Sequence, residues 1–254
     1  MRVAAIYDVH GNLPALDAVL EEAAAADVDV IVVGGDVASG PMPAQTLDRL
    51  RQLRTPVEWV RGNADRELAD AYDRRATGTT EPSDDIWRLR TAWAAAQLRQ
   101  DHRDLLAGFR DTVTLPVDGL GETLFCHGSP RSDEEIITAV TSDERLIPIL
   151  ADVSQRVVVC GHTHHQFDRL SGGTRVVNAG SVGLPYEGRP GIACWALLGD
   201  TVELRQTEYD LGLTATAIRQ SGIPGAEELI ADLEHPPGAQ EVAEFFEAAA
   251  GIDG

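Results

Sequence analysis

The sequence predicts an α/β fold in which strand–loop–helix units come first and antiparallel strands follow. Three apolar runs near the start of the chain, residues 2–7, 28–33 and 57–60, are each followed by a helical pattern. Successive units of this kind imply right-handed crossovers and a largely parallel sheet. Later in the chain, the turns Gly172-Gly173 and Gly199-Asp200 join short apolar runs and predict antiparallel hairpins.

Local signals support the individual elements of the first half. Asn12 is a suitable cap for a helix with Pro14 in its first turn, and an apolar stripe follows at Leu13, Leu16, Val19 and Leu20. The run 28–33 is nearly all β-branched or apolar, as expected for a strand that is covered on both faces. A helix through Leu47, Leu50 and Leu53 separates this strand from the next.

The stretch after the third strand changes in composition and becomes rich in Ala, Arg, Asp and Leu. It predicts a helical insertion over residues 67–108, interrupted at 78–83 and resuming as one helix over 84–106. This insertion is expected either to overhang the functional site or to form a homo-oligomeric contact.

The second half is predicted to contain strands at 112–118 and 122–126 and two short helices within 132–152. From Leu211 onward the pattern is helical. We therefore expect a main domain over residues 1–210 and a helical C-terminal appendage over 211–254.

Composition excludes several functions. The chain has 41 acidic residues against 21 arginines and contains no lysine, so its formal net charge is −20. Schiff-base, Walker-type and general-base lysines are therefore ruled out, and a polyanionic nucleic-acid scaffold is not an expected partner.

The same sequence predicts a cytoplasmic protein. No apolar stretch is long enough for a bilayer, no secretory leader precedes the first strand, and no membrane partner is expected. Cys126, Cys160 and Cys194 lie in or beside apolar runs, where buried reduced thiols are the usual case.

Polar groups of the kind that bind metals follow five of the predicted strands. Because the carboxyl ends of strands converge in open α/β sheets, these loops should meet in one crevice. A glycine next to most of these groups lets the backbone turn sharply and approach the site. The candidate ligands are Asp8, His10, Asp36, Asn63, His127, His162 and His164.

This set of side chains indicates two metal ions. Carboxylate, amide and imidazole groups without thiolate suit Mn²⁺, Fe or Zn²⁺, of which Mn²⁺ is favoured here. The seven candidates are too many for one tetrahedral ion, but they suit two ions that share a bridging carboxylate. Asp36 is the candidate bridge. Each motif alone is weak, whereas five in order at strand ends are unlike an accidental pattern.

The ordered motifs resemble those of the calcineurin-like metallophosphoesterase superfamily, and are most similar to its small bacterial phosphodiesterase branch. The resemblance covers roughly residues 2–208 apart from the helical insertion, and includes the segment Asn178 to Pro185. The blocks that carry it are Asp8-Val9-His10, Gly35-Asp36, Gly62-Asn63-Ala64-Asp65, Cys126-His127-Gly128 and Gly161-His162-Thr163-His164.

The resemblance implies a fold and an activity. The fold would be a sandwich of two mixed β-sheets flanked by helices. The activity would be hydrolysis of a small phosphodiester by a hydroxide that bridges two metals, with Asp36, Asn63 and His127 in the catalytic centre. One ion would be held by Asp8, His10, Asp36 and His164, and the other by Asp36, Asn63, His127 and His162.

The main departure from the family pattern is Ala64, where many relatives have a histidine that is thought to bind phosphate or protonate the leaving group. Alanine can do neither. His165 is the nearest substitute along the chain, although we interpret it as a partly exposed residue at the start of a strand. His102 and His235 are expected on the surface.

Four further residues are candidates for supporting roles. Asp65 is expected to orient a ligand or to cap the following helix rather than act on substrate. Asn12, Asn178 and Arg189 are candidates for the mouth of the site, and Asn178 has the best motif support.

Two alternatives remain open at this point. One is a phosphomonoesterase that acts on proteins or nucleotides. The other is a non-catalytic metal-binding scaffold, as in a retromer subunit that uses this fold for protein contacts. The sequence leaves open the natural substrate, the native metal and the oligomeric state.

Overall fold

The computed structural model describes residues 1–79 and 83–250. Part of the interruption predicted over 78–83, namely 80–82, lies outside the described residues, as do residues 251–254 of the predicted appendage. The described strands are β1 (Val3–Ile6), β2 (Val30–Val33), β3 (Val57–Trp59), β4 (Thr112–Val117), β5 (Gly121–Cys126), β6 (Val157–Cys160), β7 (Gln166–Ser171), β8 (Thr174–Ala179), β9 (Ile192–Leu198) and β10 (Val202–Glu208).

These strands form two five-stranded sheets, and both are mixed. In the first, of order β10-β9-β1-β2-β3, the last three strands are parallel, and β9 runs antiparallel to both of its neighbours, β1 and β10. In the second, of order β4-β5-β6-β8-β7, the three central strands are parallel and both edge strands are antiparallel. The predicted fold class is confirmed.

Alternation along β1 shows how the two layers pack. Val3 and Ala5 point into a core that they share with Phe125 and other residues of the second sheet. Ala4 and Ile6 point to the opposite face, where helices cover the sheet. Because all of these side chains are fully buried, the strand reads in sequence as an unbroken apolar run.

Helices cover the outer faces of the sandwich. The described helices are α1 (Leu13–Ala25), α2 (Pro43–Arg51), α3 (Asn63–Thr77), α4 (Ile86–Gln97), α5 (Gln100–Ala107), α6 (Asp143–Ile149), α7 (Leu211–Ser221), α8 (Ala226–Glu234) and α9 (Ala239–Ala250). The first begins as expected, because Asn12 Oδ1 accepts the Ala15 N–H at 3.3 Å. The C-terminal helices α7 and α8 add a smaller apolar cluster that includes Leu184.

Two helix predictions were wrong. The single helix expected over 84–106 is two helices, α4 and α5, because His102 Nδ1 accepts the Arg99 N–H at 3.3 Å and so caps a new helix. The two helices expected within 132–152 reduce to α6, whose start is capped by Ser142 Oγ. The preceding residues follow an irregular path in which Thr138 and Thr141 are buried and the Thr138 N–H donates to Thr141 Oγ1 at 2.8 Å.

The three cysteines are buried and unpaired in the described chain, as expected for structural thiols. Burial raises the pKa of Cys160 to about 12, so this thiol stays protonated and unreactive at neutral pH. None of the described helices combines the length and the apolar character needed to cross a membrane.

The expectation that His102 lies on the surface was wrong, because the residue is fully buried. Its Nε2 donates to Asp48 Oδ1 at 3.0 Å, and its Nδ1 accepts the Arg99 N–H. The side chains of Asp48, Asp101 and His102 lie close enough together to resemble a metal site. Arg99 and Arg51 already bind the two carboxylates, so this group stabilises the junction between α2 and α5.

Replacing His102 with Ala should therefore lower the free energy of unfolding by about 2–3 kcal/mol, because a buried side chain and both of its hydrogen bonds are lost. The exposed His235 provides the matched control, and His235→Ala should change stability by no more than about 0.5 kcal/mol. Denaturant titration checks both values. Equal effects of the two substitutions would contradict the structural role of His102.

Candidate metal centre

The predicted ligands meet at one edge of the sandwich, where strands of both sheets end. Asp8 and Asp36 follow β1 and β2 of the first sheet, and Asn63 is the first residue of α3 after β3. His127 follows β5, and His162 and His164 follow β6, both in the second sheet.

Donor atoms of six of the predicted ligands fall into two compact groups. One group consists of Asp8, His10 and His164, and the other of Asp36, His127 and His162. Within each group the atoms lie within 4.8 Å of one another. This division matches the two sets of ligands that the family resemblance implies, except that the shared Asp36 falls in the second group only.

Both carboxylates reach both groups. Asp36 Oδ2 lies 3.8 Å from His10 Nε2 and 3.5 Å from His127 Nε2. Asp8 Oδ1 lies 3.3 Å from His164 Nε2 and 3.8 Å from His127 Nε2. The two groups are therefore adjacent parts of one centre, and the role of Asp36 as the bridge stays a prediction.

The backbone at this centre is unusual. Six non-glycine residues of the described chain have positive φ, and five of them are predicted ligands. This conformation is uncommon for residues with a Cβ and typically costs about 1 kcal/mol or more at each position, so it persists where the surrounding fold enforces it. The five are Asp8 (φ 52°), His10 (45°), Asp36 (53°), His162 (66°) and His164 (58°).

Each carboxylate is oriented by one backbone N–H. The His162 N–H donates to Asp8 Oδ2 at 2.9 Å, which leaves Oδ1 facing the imidazoles. The Ala64 N–H donates to Asp36 Oδ1 at 2.8 Å from the N-terminus of α3, where the helix dipole also favours a negative charge. In both residues one oxygen is fixed and the other points into the centre.

Backbone carbonyls orient three of the imidazoles. The Nδ1 atoms of His127 and His164 each lie 2.8 Å from a carbonyl oxygen, of Gly34 and Leu184 respectively, and His10 Nδ1 lies 3.3 Å from the carbonyl of Ser39. A carbonyl only accepts, so Nδ1 carries the proton in each ring. When such a ring is neutral, its Nε2 lone pair is directed into the centre, which is the arrangement that metal-binding histidines use.

Charges in this buried space perturb several pKa values. Burial alone would lower the pKa of His127, but the carboxylates of Asp36 and Asp8 raise it to about 10. Burial and the neighbouring His127 lower the pKa of His162 to about 4, so this imidazole is neutral at physiological pH. Burial opposes ionisation of Asp36, yet His127 holds the pKa of that carboxyl well below its usual range. With both carboxylates ionised and His162 neutral, the centre keeps a net negative charge even when His127 is protonated, and so it attracts a cation.

Unpartnered atoms show that the residues fit a metal. Among the described residues, only six buried side-chain nitrogen or oxygen atoms have no hydrogen-bond partner. Three of them are Asp8 Oδ1, Asn63 Oδ1 and His127 Nε2. An unsatisfied buried polar atom costs about 1–3 kcal/mol, and cations bound by the two groups would satisfy all three atoms. The oxygen and nitrogen donors suit Mn²⁺, Fe or Zn²⁺.

Asp65 supports the centre through the backbone. It is fully buried and accepts the N–H groups of Asp36 at 2.8 Å, Val37 at 2.9 Å and Gly62 at 3.0 Å. These bonds hold the Gly35-Asp36 turn against the start of α3, so Asp65 positions Asp36 and Asn63. Burial, followed by the charge of Asp36, raises the pKa of Asp65 to about 7.

The two predicted asparagines also make structural contacts. Asn178 Nδ2 donates to the Gly161 carbonyl at 2.7 Å and to Thr163 Oγ1 at 3.0 Å, and so fixes the loop that carries His162 and His164. Asn12 caps α1 and donates to the Gly183 carbonyl at 3.0 Å. Both side chains are buried, so their contacts are with the protein rather than with solvent at the mouth.

One further expectation was wrong. His165 is buried rather than partly exposed, and both ring nitrogens are engaged, by the Thr163 carbonyl at 3.1 Å and the Ala139 N–H at 3.3 Å. It has no free nitrogen with which to replace a proton donor at position 64. Arg189 is exposed and donates to Glu208 on β10.

Sequence reasoning missed two aromatic residues beside the centre. Tyr186 stacks on His164, with ring centroids 4.9 Å apart and planes 24° apart. Phe246 of α9 lies 6.5 Å from His162, measured between ring centroids. Tyr186 directly follows the segment Asn178 to Pro185, a signal that could have been used, whereas no local pattern placed Phe246 near the ligands.

Comparison with known proteins identifies the family. The model of the calcineurin-like phosphoesterase superfamily domain matches residues 1–200. The chain therefore belongs to this superfamily of metal-dependent phosphoesterases, as the motifs indicated. A search of curated proteins found no significant match.

Two solved structures are similar to the chain over most of its length. The hypothetical protein PH1004 from Pyrococcus horikoshii OT3 is 23% identical, with a TM-score of 0.80, and the match covers 94% of this chain and 99% of that one. A metallophosphoesterase from Sphaerobacter thermophilus is 25% identical, with a TM-score of 0.71, and the match covers 92% and 98%. At 23% identity, the similarity to PH1004 shows a shared fold and nothing about function.

Glycine at position 62 is predicted to be important for metal affinity, because a Cβ there would lie 2.1 Å from Asp36 Oδ1. Gly62→Ala should displace this carboxylate and weaken Mn²⁺ binding by about 10- to 100-fold. Gly238→Ala is the control, since a Cβ there meets nothing within 4 Å. Mn²⁺ titration by calorimetry checks both, and wild-type affinity in a folded Gly62→Ala variant would be the contrary result.

Proposed function

We propose that the protein hydrolyses small phosphodiesters with two divalent metal ions held at the strand ends. The observation that carries this proposal is the adjacency of the Asp8/His10/His164 and Asp36/His127/His162 groups. The proposed first ion is held by Asp8, His10, Asp36 and His164. The proposed second ion is held by Asp36, Asn63, His127 and His162, with Asp36 common to both.

Ions held by these ligands would supply an acidified water as the nucleophile and positive charge to offset the charge that develops on the phosphate. The protein's own task is to hold the ligands rigidly. The N–H donors to Asp8 and Asp36 and the carbonyls that accept from three histidines support this role. Mn²⁺ is the ion we favour, with Fe and Zn²⁺ as alternatives.

Position 64 favours diesters over monoesters. Ala64 has no side-chain group that could bind phosphate, and the sequence contains no lysine. Nearby Arg66 is held by ion pairs with Asp133 and Glu134. A monoester dianion needs more compensating charge than a diester monoanion, so the diester is the better substrate for this centre.

Ala64 also bears on the leaving group. An alanine cannot protonate a departing oxygen, and His165 is engaged on both nitrogens. General acid catalysis typically contributes about 10²- to 10⁴-fold to the rate. Without it, diesters with acidic leaving groups should react best.

A non-catalytic scaffold is the alternative of a different class. A protein-contact function does not require buried, unpartnered ligand atoms such as Asp8 Oδ1 and His127 Nε2, which carry a cost in stability without a cation. For this reason we favour the enzyme. The cytoplasmic location and the oligomeric state stay predictions.

The test is metal reconstitution. Protein stripped with chelator and resupplied with Mn²⁺ should hydrolyse bis(p-nitrophenyl) phosphate at least about 100-fold faster than the stripped protein, because the ions supply the charge stabilisation. It should act more slowly on p-nitrophenyl phosphate, the matched monoester. Diphenyl phosphate, which has a poorer leaving group, should react slower than the dinitro ester by about 100-fold or more.

Three outcomes would count against the proposal. If no added ion restores activity, the proposal that the protein is a metal-dependent phosphodiesterase is wrong. A clear preference for the monoester would favour a phosphomonoesterase. If Ala64→His leaves the dependence on the leaving group unchanged, with its imidazole shown to reach the centre, the residue at position 64 has no bearing on proton transfer.

A further inference from the structure

The C-terminal helix α9 brings an aromatic pair to the metal centre. It begins at Ala239, beyond the residues 1–200 that match the family domain. Phe246 lies 6.5 Å from His162 and 5.9 Å from Phe245, and the two phenyl rings meet edge to face at 71°. Phe245 is 70% exposed and Phe246 is half-buried, so the pair borders the centre and also faces solvent.

Glu247 fixes the position of this pair. Its Oε1 accepts from Thr138 Oγ1 at 2.8 Å, from Thr141 Oγ1 at 2.5 Å and from Arg145 Nη2 at 3.2 Å. Both threonines are buried. Three donors that converge on one oxygen hold α9 in one place more firmly than an exposed ion pair would.

The anchor is connected to the ligand loop itself. Thr163 Oγ1 donates to the Ile137 carbonyl at 3.1 Å, and the Ala139 N–H donates to His165 Nε2 at 3.3 Å. Thr163 lies between the two predicted ligands His162 and His164. Glu247 and the segment 137–141 therefore tie Phe246 to the same loop that positions the ligands.

An aromatic pair beside a phosphate-binding centre has a specific use. A phenyl ring presents a face on which another planar ring can stack, a contact worth about 2- to 12-fold in binding beyond the burial of area. The exposed ring of Phe245 also leaves apolar surface in water that a bound planar group would cover.

We propose that Phe246, supported by Phe245, is a specificity-determining residue that selects phosphodiesters whose non-departing ester group is a planar aromatic group, such as an aryl ring or a nucleobase. This inference rests on the proposed function, since it assigns the substrate class of that site. Glu247 acts as a positioning residue for the pair.

Two diesters with the same leaving group isolate the effect. Bis(p-nitrophenyl) phosphate and methyl p-nitrophenyl phosphate both release p-nitrophenolate, but the group that stays behind is aryl in one and methyl in the other. Their intrinsic reactivities differ, and this difference cancels when the ratio of kcat/KM values is compared between Mn²⁺-loaded wild type and variants.

Phe246→Ala should lower the aryl-to-methyl ratio by about 2- to 12-fold and change kcat/KM for the methyl ester by less than about 2-fold. Glu247→Ala should lower the ratio in the same direction, whereas Glu247→Gln, which keeps an oxygen acceptor, should retain most of it. Leu213→Ala on α7, a change at another exposed apolar residue, should leave the ratio unchanged.

An unchanged ratio in Phe246→Ala, or an equal loss on both esters, would overturn the inference, because the ring would then only shield His162. Mn²⁺ content and thermal midpoint, measured for each variant, verify that the centre is intact.

Calorimetric binding of phenylphosphonate and methylphosphonate to the Mn²⁺-loaded protein provides a readout without turnover. Wild type should prefer the phenyl compound, and Phe246→Ala should lose that preference.

This binding measurement also separates the two proposals. If Mn²⁺-loaded wild type hydrolyses neither diester, the proposed function fails. The phosphonate comparison then decides the role of Phe246 independently. Equal affinities for the two phosphonates in wild type would overturn it.

Discussion

Two buried carboxylates, Asp8 and Asp36, share a crevice with four imidazoles, and the need to balance their charge governs the structure around them. Burial makes an uncompensated carboxylate costly. Their charge raises the pKa of His127 to about 10, so a proton on this ring offsets part of the charge when the ring is not a metal ligand. A cation held by the Nε2 atoms would take over that role, since metal binding requires these nitrogens to be deprotonated.

The rest of the fold keeps these groups from relaxing apart. The ligands come from both sheets, so their spacing depends on the packing of β1 against the second sheet through residues such as Val3, Ala5 and Phe125. Left-handed backbone at five of the predicted ligands adds strain that the packed sandwich must outweigh. The same strain and the fixed hydrogen bonds pre-organise the centre, which lowers the reorganisation needed when an ion binds.

Much of this arrangement could be predicted from the sequence, because it follows from local patterns. Apolar runs that end in Asp8, Asp36 and His127 identify strands covered on both faces, and strand ends converge in α/β sheets. The division of the ligands into two adjacent sets was implied by the family resemblance of these motifs, and the order of the motifs alone does not give it. The flanking glycines have a steric reason, which is clearest at Gly62.

What could not be predicted depends on contacts between distant residues. The break between α4 and α5 depends on His102, whose burial is stabilised by Asp48 on another helix. Periodicity in the tail predicts helices but not where they dock. The position of Phe246 follows from the bonds of Glu247 to Thr138 and Thr141, which are more than a hundred residues away in the chain.

The most direct test of the account is a count of bound metal by equilibrium dialysis against Mn²⁺ followed by elemental analysis. Wild type should bind about two ions per chain. His10→Ala and His162→Ala should each lose about one, and Asp36→Asn, verified as folded by circular dichroism, should lose both because it removes the shared carboxylate. A single ion in wild type, or two ions retained in Asp36→Asn, would contradict the claim that two adjacent sites share Asp36.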